Sequence, residues 1–186
     1  AALPEVPDCC IVVAAKDAVE EITLDCAKAG VGGLMMYASG FSETGRAEDI
    51  AAQIRLAEIG RNAGMRIVGP NCIGMLNFAS KAGVTFMIPP PMEAPLPHAL
   101  GLVSQSGALG FSLAQSVMRG VSVSHLLTTG NSSDIDVADC VSFLADDPAC
   151  RAIACVFEGM PDPMRFIEAA QIADAADKPL IVFKLG

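Results

Sequence analysis

At 186 residues the chain is long enough for one domain of ordinary size or two small ones. With 52% hydrophobic and 18% charged residues it holds too much apolar material to stay disordered. Its 12 Lys and Arg stand against 21 Asp and Glu, and the net charge of -9 would repel a nucleic-acid backbone or an anionic lipid surface, so no nucleic-acid or membrane partner is expected.

The opening residues show no basic stretch followed by an apolar core, so no secretory signal is visible. The seven cysteines form no CxxC pair and fit reduced thiols in a cytoplasmic chain. Cys9, Cys10 and Cys155 lie in apolar runs and are expected to pack as small buried hydrophobes. The uncharged start of the second half is broken by Ser104, Gln105, Ser106, Ser112, Gln115 and Ser116, which excludes a bilayer helix there. A first residue of Ala1 and an apolar run ending at Gly186 point to a fragment.

In chain order, the apolar run from Cys9 to Ala14 predicts a strand, and Val19, Ile22 and Cys26 on one face predict a helix from about Asp17 to Ala29. A second strand is expected over Gly32 to Tyr37, and a helix over Ala47 to Ala63 with Ile50, Ile54 and Ala57 at i, i+4, i+7 spacing on one face. A short third strand follows at Met65 to Val68. Strands apolar on both faces and joined by helices are the pattern of a parallel sheet covered on both sides.

From Asn77 to Leu100 the periodicity is lost, and Pro89, Pro90, Pro91, Pro95 and Pro97 predict an extended connector. The domains are therefore expected to be 1–95 and 96–186. Beyond the connector come a strand at Leu100 to Val103, a helix at Ala108 to Arg119 and a strand at Val121 to Thr128. A helix through Val137, Val141 and Leu144, a strand at Ala152 to Phe157, a helix through Phe166, Ala170 and Ala173, and a strand at Leu180 to Leu185 complete the series. This is the beginning of an independent flavodoxin-like parallel sheet.

Open parallel sheets bind ligands at the carboxyl ends of their strands, so the loops after the strands carry the candidate chemistry. The loop Ala38 to Gly45 has glycines and hydroxyls that allow close approach, or is a solvated loop with a cap. Gly69 to Gly74 is a rigid turn able to present the Asn71 amide. Cys72 within it has no nearby His to activate it and is not expected to be a nucleophile. At Ser104 to Ala108 a strand turns directly into a helix, whose free N–H groups, with Ser104, Ser106 and Gly107, make a phosphate cradle or a plain N-cap. It lacks the GK[ST] element of a Walker A loop and the glycines of a GxSxG nucleophile turn.

Glu158 ends an otherwise apolar strand, where a carboxylate is solvated or set to orient a neighbour. Asp134, Asp136 and Asp139 lack the Gly and Glu of an EF-hand and are expected as helix-cap and first-turn acids. His98 should be exposed in the connector and His125 packed in a strand or at an edge. Neither has Cys or Glu at ligand spacing, so no metal site is expected.

Taken together, GFSETG at 40–45, GPNCIG at 69–74, LVSQSGALG at 102–110, GNSSDID at 130–136, LADDP at 144–148 and EG at 158–159 resemble the ADP-forming acyl-CoA synthetases. The CoA-ligase portion of that family is similar to the α subunit of succinyl-CoA synthetase. The resemblance implies an α/β chain with a partial Rossmann-type CoA-binding domain followed by a flavodoxin-like parallel-sheet domain. It implies that ATP phosphorylates a mobile histidine, that the phosphate passes to a carboxylic acid, and that the CoA thiolate attacks the acyl phosphate. By position, Ala38, Ser39, Gly40 and Asn71 would line the coenzyme A site, Ser104, Ser106 and Gly107 would hold the phosphoryl group, and Glu158 would orient the phosphohistidine.

The family's phosphorylated His falls beyond the strand matched by Leu180 to Leu185, outside this chain. ATP and Mg would enter through a module not present here, an ATP-grasp domain or β subunit, and the resemblance also admits a homo-oligomer. Ala15 stands where the family usually has a proline, and Phe111 replaces a tyrosine of the succinate enzymes, so the resemblance does not carry succinate specificity over and leaves room for a larger or more apolar carboxylic acid as substrate. The chain alone is expected to be inactive. The alternative is a non-catalytic CoA- or acyl-CoA-binding regulatory module, as in the pseudo-ligase regions of protein acetyltransferases.

Overall fold

The computed structural model describes residues 4–186. The chain divides into two units, one taking in the residues up to Cys72 with Gly130–Ile135, the other Ile73–Thr129 with Asp136–Gly186. The expected boundary at 95/96 differs from this grouping, because residues 74–85 form a hairpin that joins the second sheet.

In the first unit β1 (Cys9–Val12), β2 (Gly33–Met36) and β3 (Arg66–Val68) lie parallel in the order β1-β2-β3. Cys10 stands opposite Leu34, and Leu34 opposite Ile67. The crossovers are α1 (Lys16–Ala29) and α2 (Ala47–Ala63), stopped by Gly30 and Gly64 in the left-handed conformation. Val19 of α1 and Leu56 of α2 pack with Val12, Leu34, Met36 and Ile67 into one core.

The inward face of α2 differs from the expected one. Asp49, Leu56, Ala57 and Gly60 are buried, whereas Ile50 and Ile54 are exposed. Hydrogen bonds draw Asp49 inward, and Gly60 lets the helix close on Met65 and Ile67, where a Cβ would come within 2.8 Å. Cys9 is exposed and Cys10 half-buried, unlike Cys155, because β1 is an edge strand while the strand Ala152–Phe157 has neighbours on both sides.

The second unit holds β4 (Gly74–Asn77), β5 (Ala82–Thr85), β6 (Leu100–Ser104), β7 (Val123–Thr128), β8 (Ala152–Phe157) and β9 (Leu180–Lys184), in the order β5-β4-β7-β6-β8-β9. From β7 to β9 the strands are parallel, as expected. β4 runs antiparallel to both β5 and β7, which makes the sheet mixed. The hairpin has no clear signature in the sequence because GMLN and AGVT are interrupted by Gly74, Asn77 and Gly83 and form no continuous apolar run.

Three helices connect the parallel strands: α3 (Gly107–Ala114), α4 (Val137–Asp146) and α5 (Pro163–Ala175). The expected long helix at 108–119 ends at Ala114 and continues as a 3-10 turn over Gln115–Arg119. Asp136 caps α4 by accepting the Ala138 and Asp139 N–H groups, while Asp139 accepts the Asp136 N–H. Asp162 caps α5, with Pro163 in the first turn.

α3 leads from β6 to β7 on one side, and α4 leads from β7 to β8 on the other side of β6. The carboxyl end of β6 is therefore the switch point of the topology, where an open parallel sheet leaves a crevice. Phe111 is buried in the core with Leu76, Phe78, Leu102 and Leu126.

Candidate functional site

The candidate residues form two clusters, one in each unit. In the first unit three loops meet at the carboxyl edge of the sheet. After β2, Ala38 and Gly40 are half-buried, Ser39 is exposed, and the buried Phe41 anchors the loop. Glu43 folds back so that its carboxylate accepts the N–H groups of Gly40 and Phe41. After β3, Asn71 is exposed in the left-handed conformation and its N–H donates to the Ala38 carbonyl at 2.9 Å. Two of the predicted coenzyme-site residues are thus directly bonded.

The third loop, Gly130–Ile135, arrives from a distant part of the sequence and closes the cluster. The N–H groups of Asn131 and Ser133 donate to the carbonyls of Pro70 and Gly69 at 2.9 and 3.0 Å. At Gly130 a Cβ would run into the carbonyl oxygens of Pro70 and Asn71, and its φ of +57° also favours glycine. Asn131 donates its side-chain amide to Gln53 Oε1 at 2.9 Å and to the Glu43 carboxylate, and accepts from the Asn71 amide. Asp134 departs from the expected cap role: it accepts the Arg66 guanidinium and the Ile67 N–H, both at 2.9 Å.

The electrostatics of this cluster are set by its hydrogen bonds. Burial pushes the Glu43 carboxyl up, but donation from Asn131, Gly40 and Phe41 outweighs it and holds the group below its usual value. Asp49, 2% exposed, accepts from Lys16, from Thr44 Oγ1 at 2.6 Å and from Arg46 Nε at 2.7 Å. The Lys16 and Thr44 bonds hold it well below the carboxylate range, burial works against them, and Arg46 adds to the depression. Lys16 also lies over the Phe41 ring, 5.6 Å from its centroid, so this ion pair braces the loop from beneath.

Cys72 is buried and its thiol donates to the Met36 carbonyl at 3.3 Å, in keeping with a packing role. The loops carry amides, carbonyls and hydroxyls, groups able to hydrogen-bond a ligand. Sequence reasoning missed Asn131, Glu43 and Gln53 as a connected group. Asn131 and Glu43 lie inside the motifs already noted, but no local pattern pairs residues 88 positions apart.

In the second unit the turn from β6 to α3 lies at the switch point. Ser104 is fully buried and its hydroxyl donates to the Ser106 carbonyl at 2.6 Å, so it shapes the turn from inside. Ser106 is the N-cap of α3: its Oγ accepts the Leu109 N–H and its carbonyl accepts the Gly110 N–H. The N–H groups of Gly107 and Ala108 belong to the first turn, which has no intrahelical acceptors, and they carry the positive end of the helix dipole. A Cβ on Gly107 would strike the Ile73 side chain, so only glycine allows this packing.

Glu158 is exposed just beyond β8. Its N–H donates to Gln105 Oε1 at 2.8 Å, and the Gly159 N–H donates to the same oxygen at 3.2 Å. Gln105 returns a bond from Nε2 to the Gly159 carbonyl at 3.1 Å, while its own N–H donates to the Val156 carbonyl at 2.9 Å. Predicted residues from two strands are therefore joined by a side chain that the sequence presents only as one letter of a motif.

The histidines lie away from this turn. His98 is exposed before β6, at the opposite end of a five-residue strand that spans about 16 Å. His125 is 1% exposed in β7, an interior strand, with Phe143 edge-on to its ring and Asp147 3.7 Å away. Burial lowers its pKa, partly offset by Asp147. Among the described residues no group of three or more His, Cys, Asp or Glu is placed to hold a metal ion. No described helix is long and apolar enough to cross a membrane.

Residues 1–77 match a CoA binding domain family, and residues 97–186 match the succinyl-CoA ligase like flavodoxin domain. Over 185 residues, 99% of the chain, it is 35% identical to the alpha subunit of an ADP-forming acetate–CoA ligase II from Pyrococcus furiosus, covering 39% of that protein. It is 38% identical to a trans-feruloyl-CoA synthase from an unknown prokaryotic organism, covering 26% of it. A dinucleotide forming acetyl-coenzyme A synthetase from Ca. Korarchaeum cryptofilum, solved with phosphate and ADP, superposes with a TM-score of 0.87 at 32% identity. That match covers 99% of this chain and 39% of the solved one. The chain thus spans about two fifths or less of the length of these relatives.

Proposed function

Because the chain belongs to the ADP-forming acyl-CoA synthetases, as their CoA-binding and succinyl-CoA-ligase-like portion, we propose that its full-length protein joins a carboxylic acid to coenzyme A at the expense of ATP. The reaction consumes acid, CoA and ATP and releases acyl-CoA, ADP and phosphate. ATP and Mg are supplied by an ATP-grasp domain or β subunit, and a phosphorylated histidine outside this chain carries the phosphate. Neither histidine present suits that role, because His125 is buried in the sheet and His98 sits at the wrong end of β6.

In this reading each cluster has one role. Ala38, Ser39, Gly40 and Asn71 line the coenzyme A site of the first unit, with Asn131 holding Asn71 and Glu43 in place. The Gly107 and Ala108 N–H groups and the Ser106 hydroxyl hold the transferring phosphoryl group, and Ser104 contributes by shaping the turn. A transferring phosphoryl group spreads its negative charge over its three equatorial oxygens, and fixed N–H donors at a helix N-terminus stabilise it without reorganising. Glu158 orients the phosphohistidine from across the turn. The observation that carries the reading is the α3 N-terminus at the switch point, with Glu158 held beside it by Gln105.

The relatives that act on acetate and feruloyl groups favour a monocarboxylic acid over succinate as the substrate class. The test is to express the full-length protein and measure ADP and acyl-CoA formation with acetate, an aromatic acid and succinate. Acid- and CoA-dependent ADP release with an acid-labile phosphoprotein is expected. Coenzyme A binding without any ADP release would replace this reading with a non-catalytic binding module.

A further inference from the structure

Gln105 lies between Ser104 and Ser106 in the phosphate turn, yet its side chain serves a different strand. Its Oε1 accepts the N–H groups of both Glu158 and Gly159, at 2.8 and 3.2 Å, and its Nε2 donates to the Gly159 carbonyl at 3.1 Å. Its backbone N–H is tied to Val156 at 2.9 Å, two residues before Glu158. One residue thus makes four hydrogen bonds to the segment 156–159, engaging both the acceptor and the donor end of its amide. Glu158 itself is exposed, and no side-chain hydrogen bond to its carboxylate accompanies these contacts among the described residues. Its position is set through its backbone.

We infer that Gln105 is a positioning residue for the phosphoryl-transfer step, fixing the Glu158 carboxylate relative to the α3 N-terminus; this rests on the roles proposed above for Glu158 and the turn. The chemistry of an amide is required: the acceptor oxygen meets two N–H groups while the donor meets a carbonyl, and neither a carboxylate nor a thioether offers both. Because the same residue continues the phosphate turn through its backbone, a shift at Glu158 and a shift at the cradle are coupled. Misplacement by about an ångström at such a site costs on the order of a hundredfold in rate.

The experiment is a double-mutant cycle in the full-length protein, with Gln105→Met, Glu158→Gln and the pair, reading kcat and KM for acyl-CoA formation. Gln105→Met preserves side-chain length and removes all amide hydrogen bonds. The expected result is a fall in kcat of about tenfold or more on the scale of such misplacements, with KM for CoA and ATP changed less than about twofold. In the Glu158→Gln background the further loss should largely vanish, since both changes disable one group.

Full multiplication of the two losses, or a Gln105→Met kcat within about twofold of the parent, overturns the inference. Unaltered CoA binding by the variant identifies a local effect. If Gln105→Met does not fold, Gln105→Asn, which keeps the amide one methylene short, enters the same cycle. A fully active Glu158→Gln would instead overturn the role assigned to Glu158, and with it the premise of the cycle. An impaired Glu158→Gln beside an unimpaired Gln105→Met would reject Gln105 alone.

Discussion

The side-chain amide of Asn71 donates to Oδ1 of Asn131 at 3.2 Å, joining a turn after β3 to a loop that follows β7. Asn131 spends its own amide on Gln53 and Glu43, so three loops of the first unit depend on one side chain. Asn131→Ala should therefore loosen the whole cluster proposed to bind coenzyme A. Loss of hydrogen bonds that include a charged acceptor predicts about 1–3 kcal/mol, and a comparable weakening would lower CoA affinity by about fivefold to about a hundredfold. Calorimetric CoA titration of the full-length variant measures this; an unchanged affinity would separate the cluster from coenzyme binding.

The Asp49 contacts predict a pH dependence of defined sign. The folded-state pKa lies below the ordinary carboxylate value, so the native state binds fewer protons than the unfolded one in acid. The stabilisation is fully present above about pH 4 and is lost as pH falls through the depressed folded value. Urea unfolding of the wild type should show a steeper loss of stability below about pH 4 than Asp49→Asn does. Parallel curves for the two proteins would contradict it.

At Gly107 the expectation is steric. A methyl group there meets the Ile73 side chain, and overpacking of this kind costs about 1–3 kcal/mol. Gly107→Ala should lower the denaturant midpoint, and adding Ile73→Ala, which opens the space, should return part of the loss relative to Ile73→Ala alone. Equal effects of Gly107→Ala in both backgrounds would show that the contact does not limit this site.

Thiol reactivity should divide the cysteines by depth rather than by their apolar neighbours. Cys9 is exposed and should react with an aromatic disulfide in the native protein, faster at higher pH because burial and Cys10 raise its pKa. Cys155, pushed up to about 12 by burial and then by Asp136, and the buried Cys140, likewise raised, should react only after unfolding. Timed labelling with peptide mapping reads this order, and native labelling of Cys155 as fast as Cys9 would contradict it.

Much of the fold was legible along the chain because its parallel strands are short apolar runs separated by helix-length segments. The cap at Asp136, the strand at Ala152–Phe157 and the loss of order in the proline stretch each carry a local signal. The hairpin at 74–85 did not, since β4 and β5 owe their state to pairing with each other and with β7 rather than to their own pattern. The inward face of α2 was misread for a similar reason: a charged Asp49 is buried only because Lys16, Thr44 and Arg46 reach it.

The candidate site divides along the same line. Sequence by itself determined the α/β class, the order of the candidate loops and the strand-to-helix turn at Ser104–Gly107, because turn chemistry and hydrophobic period are properties of neighbours in the chain. Only the tertiary structure decided that Ser104 is sealed inside its turn, that Gln105 grips Glu158 and Gly159, and that Asn131 ties Asn71 to Glu43. Those bonds span up to 88 residues and exist only after strands and loops from remote parts of the chain have been packed side by side.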